Sequence, residues 1–531
     1  MNDHIRFYDR LVRRMSRREL LNVAWKLGAA AIVATGPASR VFAQPIFRTY
    51  PFPLGVASGD PSSTGIALWT RLAPEPLEGG GMPAANIEVA WEIAPDVTFR
   101  KLVRQGMAVA RPELGHSVHV EVDGLEPYHE YFYRFRVGRE VSGVGRAMTA
   151  PADGAAVDRL RFGVCGCSHY ETGFFTGYKH LADERFDFVF HTGDYIYEGR
   201  GNKARNPALA REHQGQEIYT LIDYRNRYAQ YKMDPDLLAA HASAPFIVSW
   251  DDHEVDNDYA GDVDENDTPP EVFLLRRAAA YQAYFEHMPL RASSLPYGPR
   301  LQLYRRVRFG QLLDLSVLDT RQYRSDQACG HGAATECAAA SADNRSILGE
   351  AQERWLFEQL AAARSRWTVV GQQVPIFARD NGPNAPPATR RSMDKWDGYS
   401  ATRMRLFARL KETKAPNPIV LSGDVHVHFG ADLKVNFDDP SSETIGVEFT
   451  NTSITSGGDG SEVSATWENL RRYNPHIRYH SNRRGYISCT ATVATMKADF
   501  KVLDYVTRPG SPVRVGGSLV VEAGRPGATT E

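Results

Sequence analysis

The chain has 531 residues, more than one domain's worth, and two domains are expected. Its composition is that of an ordinary soluble globular protein, with 24% charged and 42% hydrophobic residues, which argues against a disordered chain. A formal net charge of −2 with no basic block excludes a dedicated nucleic-acid binder, so no nucleic-acid partner is required, while small anionic substrates stay open because a metal ion can supply positive charge.

Residues 1–43 read as an export signal. Arg13-Arg14 and Ser16-Arg17-Arg18-Glu19-Leu20-Leu21 precede Lys26 and a short apolar stretch at 27–34, and Val41-Phe42-Ala43 offers a small-residue cleavage site. The stretch is far below the ~20 residues that a membrane span needs. The paired arginines and the Leu-Leu that follows resemble a twin-arginine signal. A soluble mature protein starting near Gln44 is expected, periplasmic or secreted, with the twin-arginine machinery as its export partner. Five cysteines suit that compartment. Cys329 and Cys337 flank a Gly/Ala-rich loop and are candidates for a disulfide. Cys165 and Cys167, two apart on a strand, span ~6.5 Å and do not bridge easily.

Residues 47–150 read as an all-β domain. The runs 65–70, 86–93, 117–122 and 131–137 alternate apolar and polar residues between Gly/Pro/Asp turns. Leu125-Glu126-Pro127-Tyr128-His129-Glu130-Tyr131-Phe132-Tyr133 resembles the end of a fibronectin III-type sandwich. From 158 to 515 the pattern becomes layered α/β, short buried strands alternating with helices. Strands are expected at 160–164, 186–191, 245–250, 368–372, 418–421, 447–455 and 486–505. Helices are expected at 174–184, 271–287, 350–364 and 401–413.

Four of these strands end in metal-ligating residues. The first ends in Cys165-Gly166-Cys167-Ser168-His169. The second ends in Gly193-Asp194-Tyr195-Ile196-Tyr197-Glu198, the third in Asp251-Asp252-His253-Glu254-Val255-Asp256-Asn257-Asp258, and the fourth in Ser422-Gly423-Asp424-Val425-His426-Val427-His428. Carboxylates crowded at the end of a buried strand repel one another unless a cation neutralises them. Asp194 has two oxygens and can bridge two cations. Tyr197 offers a phenolate, a hard donor that suits iron(III). On an extended strand Asp424 and His426 share a face. His428 lies one step beyond, where an orienting or substrate role is expected. Two metals held by carboxylates and histidines are the device for phosphoester hydrolysis, by attack of a metal-bound hydroxide. His253, beside Asp252, is the candidate proton donor to the leaving group.

The order strand-Gly-Asp, strand-Asp-His-Glu, strand-Gly-Asp-x-His is similar to that of calcineurin-type metallophosphatases. Its spelling resembles the PhoD family of exported alkaline phosphatases and phosphodiesterases. The stretches that match are Gly55-Val56-Ala57-Ser58-Gly59-Asp60-Pro61, Leu68-Trp69-Thr70-Arg71-Leu72, 167–198, 250–259, Asp319-Thr320-Arg321-Gln322-Tyr323-Arg324, Trp396-Asp397-Gly398-Tyr399, 422–428 and Thr452-Ser453-Ile454-Thr455-Ser456-Gly457-Gly458. The resemblance implies a four-layer α/β/β/α sandwich behind the β domain. It implies Fe(III) on Cys167, Asp194, Tyr197 and His426, with Asp194 bridging to Ca2+ held also by Asp252, Asn257 and Asp424. Cys167 matches the family's ligand better than Cys165, since it stands three residues before Tyr170-Glu171. Arg321 would clamp the phosphate. Two alternatives stand beside a phosphatase: a phosphodiesterase of phospholipase D type, and a non-catalytic secreted protein stabilised by calcium.

Overall fold

A computed structural model describes residues 46–330, 337–380, 391–462 and 465–531. The expected twin-arginine signal at 1–43 lies outside them. Two sheets face one another. The first has ten strands in the order Thr529–Thr530, Val513–Glu522, Thr495–Leu503, Gly485–Thr492, Arg159–Cys165, Phe188–His191, Pro245–Val248, Val56–Gly59, Ile66–Arg71 and Ser117–Val122. The second runs Arg305–Phe309, Leu313–Val317, Trp367–Gly371, Pro418–Ser422, Thr444–Thr450, His428–Lys434, Ile477–Arg483 and Gly460–Ser461.

Side-chain alternation explains the layering. Phe162, Val164, Phe188, Phe190 and Ile247 point from the first sheet into a shared core with Leu313, Leu315, Val369, Ile419 and Val447 of the second. Their strand neighbours Cys165, Val189, Phe246 and Val248 point the other way, into helices Thr176–Asp183, Leu221–Lys232, Pro235–Ser243 and Pro270–His287. The outer face of the second sheet is covered by helices Gly349–Ala362 and Ser400–Thr413, through Leu356, Leu360, Leu406 and Phe407. Parallel central strands covered on both faces read as continuous apolar runs, which is how the sequence spelled them. The α/β/β/α sandwich is as expected.

Three α-helices among the described residues escaped the sequence reading: Leu221–Lys232, Pro235–Ser243 and Ala465–Tyr473. Leu221–Lys232 buries Arg227 and Lys232 among tyrosines, so it lacks a clean apolar stripe. Its start was nonetheless legible in the Thr220/Asp223 capping box. Pro235–Ser243 follows an Asp234 cap, with Pro235 at the first helical position.

The N-terminal region is all-β, and its strands belong to two sheets. Strands Arg104–Ala110, Ile87–Ala94, Glu130–Val137, Glu140–Val141 and Gly145–Met148 form a small sheet of their own. Strands Val56–Gly59, Ile66–Arg71 and Ser117–Val122 extend the large sheet, with Ser58 registered on Pro245 and Gly59 on Phe246 in parallel. The N-terminal strands therefore cover the edge of the strand that leads into Asp251. Trp69 seals this seam. It is fully buried, its Nε1 donates to Glu286 O at 2.9 Å, and its ring lies 4.2 Å from the Lys232 ammonium, whose pKa burial pushes down to about 7. Cys329 and Cys337 are bridged, Cα to Cα 5.9 Å, and Cys165, Cys167 and Cys489 are free and buried. No described helix is long and apolar enough to cross a membrane. Trp69→Ala is expected to cost about 3–5 kcal/mol of stability, read as a lower urea midpoint. An unchanged midpoint contradicts the assigned seam.

Candidate metal centre

The ligand-rich loops meet where the central strands end. Close backbone approach requires glycine at two points. A Cβ on Gly193, which has φ 116°, would stand 2.5 Å from Asp251 N, and one on Gly423 would stand 2.4 Å from Thr192 Oγ1. Cys167, Asp194, Asp424 and His426 all have left-handed backbones, with φ of 56°, 54°, 69° and 56°. Such residues cost on the order of 1–3 kcal/mol each and persist where their surroundings over-determine them.

This corrects the extended-strand reading of Asp424 and His426. The strand stops at Ser422, and the left-handed turns send the two side chains to different neighbours. His426 joins Cys167 and Asp194, with one donor atom from each within 4.8 Å of the others, while Asp424 joins Asp251 and Asp252 by the same measure. His428 opens the next strand and is fully buried. Its Nδ1 accepts from Thr452 N at 3.1 Å and its Nε2 lies 3.3 Å from Lys501 O. It packs in the core and pins the 452 loop, so the substrate role expected of it is withdrawn.

Tyr197 completes the first group. Its Oη lies 2.8 Å from Asp194 Oδ2, 3.2 Å from His426 Nε2 and 2.6 Å from Ser456 Oγ. Cys165 points instead into the helical core. Burial, then Asp194, pushes the Tyr197 phenol and the Cys167 thiol well up. Neither would ionise in this pocket without a cation beside it. The second group has the same shortage of positive charge. Asp194 Oδ1, Asp251 Oδ2 and Asp252 Oδ1 are buried and accept no hydrogen bond among the described residues. Buried carboxylate oxygens are rarely left so, and these fit a cation. Burial pushes the Asp251 carboxyl well up against Arg321, with Asp252 and Asp424 adding to the rise. Burial also opposes the Asp252 charge, yet Arg321 and His253 outweigh it and hold that group well below the usual range.

Arg321 is not free to clamp a phosphate. Its side chain is fully buried. Nε donates to Asp251, Nη1 to Asp394 at 2.7 Å and Nη2 to Asp424 at 3.2 Å. Asp319 fixes the turn by accepting from the N–H groups of Arg321 and Gln322, each at 3.0 Å. Lys395 holds the other Asp424 oxygen. Each oxygen keeps a further lone pair for a cation. Asn257 donates its backbone N–H to Glu198 at 2.9 Å and its amide nitrogen to Glu265 at 2.7 Å, so a hard cation would use its Oδ1.

His253 Nδ1 sits 2.8 Å from Glu198 Oε2, and the ring lies 4.1 Å from that of Tyr197. Burial opposes its charge, but Glu198, Asp194 and Asp252 outweigh it and raise its pKa well above the ordinary value. These carboxylates therefore favour the protonated form of His253.

Sequence reading missed the residues that set this geometry. Glu254 accepts from the N–H groups of Asp194 at 3.1 Å, Tyr195 at 2.5 Å and Asp251 at 2.7 Å, lacing two ligand loops together. Burial, then Asp194, raises its pKa to about 8. Ser456 Oγ donates to Cys167 O at 2.8 Å, and Arg484 donates to His426 O at 2.7 Å. Glu254 stood in the Asp-His-Glu cluster and Ser456 in the Thr-Ser-Gly-Gly stretch, each without its task, and Arg484 gave no signal. Glu254→Gln puts an NH2 against backbone N–H groups. It is expected to weaken metal retention about 10- to 100-fold, read by metal analysis after dialysis, and wild-type retention would contradict the lacing.

Comparison with known proteins identifies the family. Residues 37–151 match the family described as PhoD-like phosphatase, N-terminal domain, and residues 162–500 match PhoD-like phosphatase. The chain is 48% identical over 517 residues to alkaline phosphatase D of Bacillus subtilis (strain 168), covering 96% of this chain and 88% of that one. A solved structure of PhoD superposes with TM-score 0.89 at 49% identity, covering 92% of this chain and 93% of that one. Purple acid phosphatase PPD1 from yellow lupin (Lupinus luteus) seeds shares the fold at TM-score 0.54 and 13% identity, over 88% and 73%. Matched in both segments and across nearly its whole length, the chain belongs to the PhoD-like phosphatase family.

Proposed function

We infer that this chain is an exported alkaline phosphatase that hydrolyses phosphate esters with the help of two kinds of metal ion. Cys167, Asp194, Tyr197 and His426 would hold iron(III). Asp194, Asp252, Asn257 and Asp424 would hold calcium. Bound there, the cations would supply Lewis acidity, acidifying a water and offsetting charge on the phosphoryl oxygens. The observation that carries the reading is that the buried Asp194 Oδ1 and Asp251 Oδ2 accept no hydrogen bond among the described residues, while Asp252 Oδ1 meets Arg321 Nη2 only at 3.5 Å. Thiolate and phenolate donors beside a carboxylate and an imidazole suit a trivalent iron, and the all-oxygen set suits calcium.

The protein's own groups have defined tasks. Glu198 engages Nδ1 of the His253 imidazolium, so the proton on offer is the one on Nε2. As a water oxygen bonds to phosphorus and the ester P–O bond breaks, that proton passes to the departing alkoxide. Arg321 and Lys395 restrain the acids around Asp424, and Glu254 fixes the Asp194 and Asp251 loops. The same reading divides the chain into a twin-arginine signal at 1–43, a β domain at 47–150 and a catalytic domain at 158–515. Replacing Arg17 and Arg18 by lysine should leave the protein in the cytoplasm, and undiminished export would remove the signal assignment.

Asp194→Asn should lower turnover of nitrophenyl phosphate on the order of 10³-fold and reduce bound metal. Full activity at unchanged metal content would contradict the reading. The purified protein should show a visible phenolate-to-iron absorption band that Tyr197→Phe abolishes. A colourless, active, iron-free protein would remove the iron assignment alone.

A further inference from the structure

Releasing Arg321 from the substrate leaves open which cation meets the phosphate. The segment 376–380, which follows strand Trp367–Gly371 past its end, supplies one. Its backbone is tied down at nearly every step. The N–H groups of Ile376 and Phe377 donate to the buried Glu448 at 3.0 and 2.9 Å, and Glu448 also accepts from Ser422 Oγ at 2.6 Å. Ala378 O lies 2.9 Å from His476 Nε2. Arg379 N–H donates to Asp397 Oδ2 at 3.1 Å. Asp380 N–H donates to Asn474 Oδ1 at 2.9 Å, and Asn474 Nδ2 returns a bond to Asp380 O at 2.7 Å.

These ties fix where Arg379 stands. Ser422 directly precedes Gly423-Asp424, and Gly423 N–H donates to Gln373 O at 2.7 Å. Asp397 lies two residues beyond Lys395, whose ammonium holds Asp424. Arg379 is therefore set between the two segments that carry and restrain Asp424. Its guanidinium is half-buried and makes no hydrogen bond or ion pair among the described residues. Among the described residues, Arg321 is committed to Asp251, Asp252, Asp394 and Asp424, Arg324 to Asp394, and Lys395 to Asp394 and Asp424. Burial lowers the Arg379 pKa, with Asp397 and Asp424 opposing, so its charge feels the acidic centre without bonding to it. Beside it, His480 is kept neutral, its pKa lowered to about 4 by burial and then by Arg379, and it stacks on Trp467 at 4.5 Å and 11°. That wall competes for no anion. A partly desolvated guanidinium with no partner, on a loop held rigid, awaits an anion from outside the chain.

We propose that Arg379 is the substrate-binding arginine of this site, its planar fork receiving two non-bridging oxygens of the phosphoryl group. The proposal rests on the phosphatase reading and supplies the contact that Arg321 does not make.

The test uses the full-length, metal-loaded protein and inorganic phosphate as the probe, titrated by calorimetry, with nitrophenyl phosphate kinetics beside it. Arg379→Ala and Arg379→Met should each weaken phosphate binding about 10- to 100-fold. KM should rise in parallel and kcat change less. Methionine keeps the apolar stem, so collapse of the loop does not stand in for lost charge. Arg379→Lys should recover part of the affinity as a point charge. Phosphate affinity within about twofold of wild type in Arg379→Met, or full recovery of binding by a neutral glutamine, would overturn the assignment. The underlying reading fails differently: a wild type that binds phosphate through Arg379 yet turns over no ester removes the phosphatase reading and leaves this contact standing.

Discussion

Buried negative charge at the strand ends is the constraint around which this protein is organised. Asp194, Asp251, Asp252 and Asp394 are buried there, and Asp424 is partly buried beside them. Two such charges ~4 Å apart repel by about 4 kcal/mol at an effective dielectric of ~20. Arg321 and Lys395 offset part of this, and neither reaches the unbonded oxygens of Asp194 and Asp251. The remaining deficit is what a pair of cations would fill. Removing one acid without its cation, or one cation without its acid, leaves an uncompensated buried charge, so the cluster has to be treated as a unit.

The fold supplies the rigidity that such a cluster demands. Four of the proposed ligand residues sit in left-handed conformations, each a local cost, and they stay there because the loops are laced across the sheet ends. Glu254 ties the Asp194 loop to the Asp251 loop, Ser456 and Arg484 tie the 453–456 loop to Cys167 and His426, and Glu448 ties Ser422 to the 376–377 segment. The N-terminal β region contributes at longer range. Its strands pair with Pro245–Val248, the strand that delivers Asp251 and Asp252. The β domain is thus structurally continuous with the metal centre's own sheet.

The legible and the hidden parts of this site differ for a physical reason. Asp194, Asp252 and Asp424 stood out as candidates because a parallel sheet buried on both faces writes its strands as apolar runs, and a polar residue at the end of such a run is conspicuous, whereas the choice of Cys167 over Cys165 came from the family resemblance. Spacing made Tyr197 and His426 candidates, and their place in an iron set came from the resemblance. The argument that paired Asp424 with His426 assumed an extended backbone, and the left-handed turns overturned it while leaving both residues at the centre. Arg321 looked like a substrate residue because sequence cannot tell a guanidinium facing a cavity from one facing four carboxylates. Glu254 was visible in its cluster but its task was not, and Arg484 was invisible, because both act on backbone groups that only the fold brings to them. Arg379 was hidden for the opposite reason: what marks it is a partner it does not have, and only the folded surroundings reveal that.

The central claim is that cations, and iron in particular, complete the buried acidic centre. Anomalous diffraction from crystals of the purified protein, measured on either side of the iron absorption edge, tests it most directly. The account predicts an iron peak bounded by Cys167, Asp194, Tyr197 and His426, with a second, non-iron cation on the Asp252 and Asp424 side of Asp194. A centre that holds only ordered water there, in crystals of active enzyme, would contradict it.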